Sequence, residues 1–220
     1  MQWGILVIGV IFLVVGYMVL QGTRVALAWR KAAAAGDVDV IRQILDDALA
    51  SWRSMKRPKE VPPEIWRGVQ TVELIEVGPE NARVSCQAES EYRLVDGRWV
   101  EVVSPLQEGF ALTARLAEML LYDVPNLNLA AARIDVHTTF RDAEGSSRRA
   151  CILTTTASRQ EARAVDWESW TPVEIVDALG GRYRPGEGGV ALPIEIDEPK
   201  APPEGAKASA QAAPRPGAET

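Results

Sequence analysis

The sequence predicts an α+β domain behind a single N-terminal transmembrane helix: helices packed on a mostly antiparallel sheet of about five strands, then a disordered C-terminal tail. Three observations carry that expectation. An uncharged apolar run opens the chain, period-two and period-3.6 apolar patterns alternate through its middle, and proline, glycine and alanine dominate its end. The expected boundaries are an anchor at 1–21, juxtamembrane helices at 22–66, a sheet domain at 67–184 packed with 38–57, and a disordered tail at 185–220.

From Trp3 to Leu20 no residue is charged and none is proline. Such a helix rises about 27 Å, near the hydrocarbon thickness of a bilayer. Apolar side chains surround it, whereas a core helix keeps a polar stripe. Trp3 at one end and Tyr17 near the other suit the two membrane interfaces. A cleaved signal peptide would want basic residues before the run and a shorter apolar core. Ala26-Leu27-Ala28 resembles a cleavage site, but it follows Arg24 rather than the apolar core. Arg24, Arg30 and Lys31 follow the span, with Arg53, Lys56, Arg57 and Lys59 beyond, and none precedes it. The positive-inside rule then expects a single-pass protein of the cell (plasma or inner) membrane, N-terminus outside and domain in the cytosol. Two cysteines, Cys86 and Cys151, are too few for a disulfide scaffold and ordinary in a reducing compartment.

Gly36-Asp37 reads as a helix stop followed by an N-cap, and Ile41, Ile44, Leu45, Ala48, Leu49 and Trp52 then form an amphipathic stripe. The prolines of "KRPKEVPPE" end that helix. Strands are expected at 67–77 and 82–94, the second with Val84, Cys86, Ala88, Tyr92 and Leu94 inward and polar residues on a wet outer face. Asp96-Gly97 is a strong hairpin turn leading into 98–103. It sets Leu94 opposite Trp99 on the core side and leaves Val100 and Val102 on the outer face. Pro105 opens a helix striped by Leu106, Phe110, Thr113, Leu116, Ala117, Leu120 and Leu121. A second hairpin, 132–140 with 149–156, turns around Glu144-Gly145, with Val136 opposite Leu153 and Thr138 opposite Cys151. Two short helices follow, capped by Ser158 and by Thr171, the latter with Pro172 at its first position and Glu174 completing a capping box.

The chemistry in this sequence is sparse. The single histidine, His137, lies two residues after Asp135 on the polar face of one strand. That pair is the candidate for acid–base work, although an exposed cross-strand pair has the same pattern. Both cysteines read as inward-facing and inert. There is no CxxC, no HxxxH and no glycine-rich phosphate loop after a strand, so neither a metal nor a cofactor is expected. Glu89, Glu91 and Glu101 read as solvated strand carboxylates. A net charge of −6 argues against nucleic acid. Trp66, Trp167 and Trp170 lie in turn-like segments, and with Val100 and Val102 they form a candidate interface. Within the tail, "VALPIEI" at 190–196 has the pattern of an extended strand that adds to a sheet edge, its own or a partner's.

The helix carrying Ala35-Gly36-Asp37 and Leu45-Asp46-Asp47, followed by "VQTVELIEV" and "ARVSCQAESEYRLVDGRWVEVV", resembles the opening of Tim44-like and NTF2-like domains over roughly residues 27–103. The resemblance implies a membrane-associated adaptor, with a curved sheet able to hold a small ligand. No family site residue is carried by it. The expected function is a membrane-anchored, protein-binding accessory or assembly subunit of a membrane complex without catalysis. It would hold the bilayer through residues 3–20 and a protein partner through its domain. The alternative is an NTF2-like small-molecule-binding or enzymatic domain using Asp135, His137 and Tyr92.

Overall fold

The computed structural model describes residues 13–18, 27, 30–141 and 145–197. Within the expected span, residues 13–18 are helical and Leu13, Val14, Val15, Tyr17 and Met18 are exposed. The span's expected ends, Trp3 and Leu20, and the expected tail beyond 197 lie outside the described residues. Among the described residues, no helix is long and apolar enough to cross a membrane.

Gly36 turns the chain at φ +79°, a value L side chains rarely adopt, and Asp37 caps α1 (Val38–Ser54) by accepting from the Asp39 and Val40 amides. The helix buries Ile41, Leu45, Ala48, Leu49 and Trp52 along its stripe. The double proline does more than end α1. Pro63 occupies the first turn of α2 (Pro63–Gln70), whose Ile65, Trp66 and Val69 are buried. The strand expected at 67–77 is therefore shorter: β1 spans Glu73–Val77. Trp66, expected in a turn, is a core residue at 4% exposure.

The strand expected at 82–94 is two strands, β2 (Asn81–Gln87) and β3 (Glu91–Val95). Only β2 joins the main sheet. Among the described residues β3 pairs with β4 (Arg98–Val103) alone, in a separate two-stranded ribbon turned by Asp96 and Gly97 at φ +50° and +78°. Leu94 does face Trp99, but Trp99 is 72% exposed and Leu94 60%, so the expected core placement of this pair is corrected.

The sheet is completed by β5 (Ala131–Arg141), β6 (Ser147–Ser158) and the short β7 (Arg182–Tyr183), in the order β1-β2-β5-β6-β7. It is mixed, because β2 and β5 run parallel while the other pairs are antiparallel. A parallel pair needs a long crossover, usually a helix. Here that crossover holds the ribbon and α3 (Pro105–Glu118), which explains why a helix interrupts the strand series.

α3 lies across the apolar face of the sheet. Its Gly109 comes so near that a Cβ there would sit 3.5 Å from Val136 Cγ1, and Leu112 presses so close to Gly68 of α2 that a Cβ would meet it at 2.7 Å. The helix ends in one π-helical turn, Met119–Asp123. Arg159 braces that turn, donating to the Leu121 and Leu129 carbonyls and stacking over Tyr122. Arg159 opens α4 (Arg159–Ala162), capped by Ser158, and Thr171 caps α5 (Pro172–Ala178) with the expected capping box.

The reversed placement of two tryptophans gives a direct check. Trp66→Ala should lower stability by about 3–5 kcal/mol, as for a buried aromatic. Trp99→Ala should change it by no more than about 0.5 kcal/mol, as for an exposed site. Urea denaturation of both variants measures the contrast, and equal losses would refute this arrangement of the ribbon.

Candidate functional site

The second face of the sheet is polar. The parallel register sets Arg83 beside Arg133 and Ser85 beside Asp135, and β6 sets Thr154 opposite Asp135. The Asp135 carboxylate, 1% exposed, accepts from Arg83 Nε at 2.6 Å, Arg133 Nε at 3.1 Å and Thr154 Oγ1 at 2.5 Å. A buried carboxylate survives only when paired and hydrogen-bonded in this manner.

This face was expected to be wet. It is covered in part by the chain's own continuation, a strap formed by residues 185–197, while Thr139, Arg149 and Thr156 stay exposed. Pro185 bridges Ala191, the Leu192 amide donates to the Arg184 carbonyl at 3.0 Å, and the Ile194 amide donates to the Cys151 carbonyl at 2.8 Å. Arg83 Nη2 closes the strap's end on the Asp197 carbonyl at 2.7 Å. The "VALPIEI" island thus binds its own sheet, and these residues belong to the folded unit rather than to the expected tail.

A register shift between Val136 and His137 changes what faces His137. Cys151, rather than Ile152 as a simple count from the Val136–Leu153 pair would have it, lies opposite it, and Thr138 faces Ala150 instead of Cys151. The bulge moves Cys151 off the apolar face, where it was expected, onto the polar one. His137 and Cys151 there line an open cleft of about 950 Å³ whose far wall is the strap. Burial, and then the Arg149 guanidinium, lower the His137 pKa below the usual imidazole value, with Asp135 opposing. Burial pushes the Cys151 thiol up to about 11, and the Cys86 thiol well above its usual range. Both thiols are protonated at neutral pH and are poor nucleophiles.

Asp135 and His137 therefore share a face, but the carboxylate is turned onto Arg83, Arg133 and Thr154 rather than onto the imidazole. Tyr92 lies on the ribbon and lines a separate hollow with Gln87, Glu101 and Phe140. The three residues of the catalytic alternative do not converge on one cavity.

The ribbon is the most exposed apolar element of the domain. Tyr92, Leu94, Val95, Trp99, Val100 and Val102 are all exposed. Its root is held firmly. The Gln87 amide donates to Thr71 Oγ1 at 2.9 Å, the Ala88 amide to the His137 carbonyl at 2.9 Å, and the Glu89 amide to Glu108 Oε2 at 3.2 Å. Burial raises the Glu108 carboxyl to about 7, with the Glu89 amide and Arg67 opposing. On the return strand Ser104 caps α3 in a reciprocal box with Gln107. Of the other interface candidates, Val100 and Val102 lie on this ribbon, Trp170 is 39% exposed, and Trp167 packs edge-on against Tyr122 with centroids 6.2 Å apart. Trp66 is corrected from this set to the core. Among the described residues, no group of acidic, histidine or cysteine side chains is arranged to hold a metal ion.

No family model, no curated protein and no solved structure matches the chain.

The Asp135 network has a measurable weight. Asp135→Ala leaves two guanidinium groups beside an unfilled buried position and should lower stability by about 3–5 kcal/mol. Urea denaturation measures it, and a loss under about 1 kcal/mol would place this ion pair with weak surface pairs.

Proposed function

We propose that this chain is a membrane-anchored accessory or assembly subunit that binds a protein partner through the β3–β4 ribbon. The bare, rigidly rooted ribbon is the observation that carries the reading. A two-stranded hairpin alone is marginal in water, and exposed apolar patches of this kind mark interaction sites. Among the described residues β3 and β4 pair only with each other, so each leaves an edge of backbone groups without a strand partner. A protein can satisfy those groups by strand addition, whereas bilayer hydrocarbon cannot. Charge favours the same occupant. The ribbon carries Glu91, Asp96 and Glu101 against Arg93 and Arg98, which gives an anionic membrane surface no net attraction.

The anchor half of the proposal rests on the uncharged run from Trp3 to Leu20 and on the basic residues that follow it. With the basic flank inside, the ribbon meets its partner on the cytosolic side of the cell (plasma or inner) membrane.

A photoreactive amino acid in place of Trp99, activated in the native membrane, should give one dominant protein adduct of defined mass. Leu94→Asp, on the same ribbon face, should abolish that adduct without lowering the unfolding midpoint. Adducts to lipid alone, or an adduct indifferent to Leu94→Asp, would defeat the proposal.

A further inference from the structure

The cleft beside His137 gathers several arginines in an acidic protein. The protein carries a net charge of −6, yet Arg148, Arg149 and Arg184 line this one cleft, with Glu195 as the carboxylate in its lining. Two of the guanidiniums are held in place. Arg149 Nη2 donates to Ser85 Oγ at 3.0 Å, and Arg184 Nη2 donates to the Pro193 carbonyl at 3.1 Å. A guanidinium has five N–H donors, so each retains others that face the cleft or solvent. Among the described residues, the His137 Nδ1 atom is buried without a hydrogen-bond partner. The nearby Asp135 carboxylate is occupied by Arg83, Arg133 and Thr154 and does not neutralise the cluster. The three arginines are exposed and Glu195 offsets one of their charges, which leaves the cleft lining with a net positive charge.

We propose that this cleft binds a phosphoryl-bearing anion through Arg148, Arg149 and Arg184, with His137 lining the site. A carboxylate is satisfied by one guanidinium fork, whereas a phosphoryl group offers three oxygens and up to two charges to several forks. The cavity is larger than a bare phosphate, and Pro193, Ile194 and Ile196 of the strap give the remainder of the ligand an aliphatic wall. The same chemistry serves a soluble phosphomonoester and the headgroup of an anionic phospholipid. The site is independent of the ribbon and does not rest on the proposed function.

His137 is the chain's one histidine, so its ring proton gives an unambiguous magnetic resonance signal. The full-length protein in a zwitterionic detergent is titrated with inorganic phosphate, and separately with vesicles of phosphatidylcholine with and without phosphatidic acid. The expected result is a saturable displacement of the His137 resonance and a rise in its titration midpoint, since an adjacent anion favours the charged imidazole. Arg148→Glu and Arg184→Glu, each folded with an unchanged unfolding midpoint, should weaken the response at least about tenfold. A response to phosphate identifies a soluble ligand, and a response only to vesicles with phosphatidic acid identifies a lipid headgroup. No saturable displacement with either probe, or displacement unchanged in both variants, would overturn the assignment.

Discussion

One buried carboxylate ties this domain together. Asp135 sits in the middle of β5 and gathers Arg83 from β2, Arg133 from its own strand and Thr154 from β6. Arg83 then extends the network to the Asp197 carbonyl, and Arg133 approaches the Asp197 carboxylate at 4.0 Å. Helices bury the sheet's other face through apolar contact with Val84, Ile134, Val136 and Ile152, which is tolerant of small shifts. A charged hydrogen-bond network is not tolerant, because a displaced partner leaves a buried charge. It therefore specifies both the parallel pairing of β2 with β5 and the path of the strap over them. With the strap seated, the cleft acquires its second wall.

Much of this was legible in the sequence. The caps at Asp37, Ser158 and Thr171 are local side-chain chemistry, and local chemistry reads well from neighbours in the chain. The Asp96-Gly97 turn and the pairing of Leu94 with Trp99 were legible for the same reason. What the pattern could not carry was which surface covers which. Alternation in 82–94 predicted one half-buried strand, but the Glu89 amide is taken by Glu108, nineteen residues on in a different element, and the strand stops there. Trp66 followed two prolines and looked like a turn, because eight residues are too few for a helical stripe to stand out.

The candidate site was legible in its residues and not in its geometry. Asp135 and His137 fall on one face by parity, as expected, yet nothing local shows that Arg83 and Arg133 capture the carboxylate first. A single extra residue near Ile152 turned Cys151 to the opposite face, and such bulges leave little trace in a period-two pattern. The sequence pattern places the ribbon's Leu94 and Trp99 in the core for a simple physical reason. Leu94 and Trp99 are apolar and paired, and only the tertiary arrangement shows that nothing among the described residues lies over them.

The measurement closest to the central claim is radical footprinting of Trp99 in native membranes and in the purified protein, with exposed Tyr122 as the internal reference. If the ribbon is a docking element, Trp99 will be strongly protected in the membrane and reactive once purified, while Tyr122 reacts equally in both. Equal Trp99 reactivity in the two samples would mean that the ribbon stands uncovered where the protein works, and the docking account would fail.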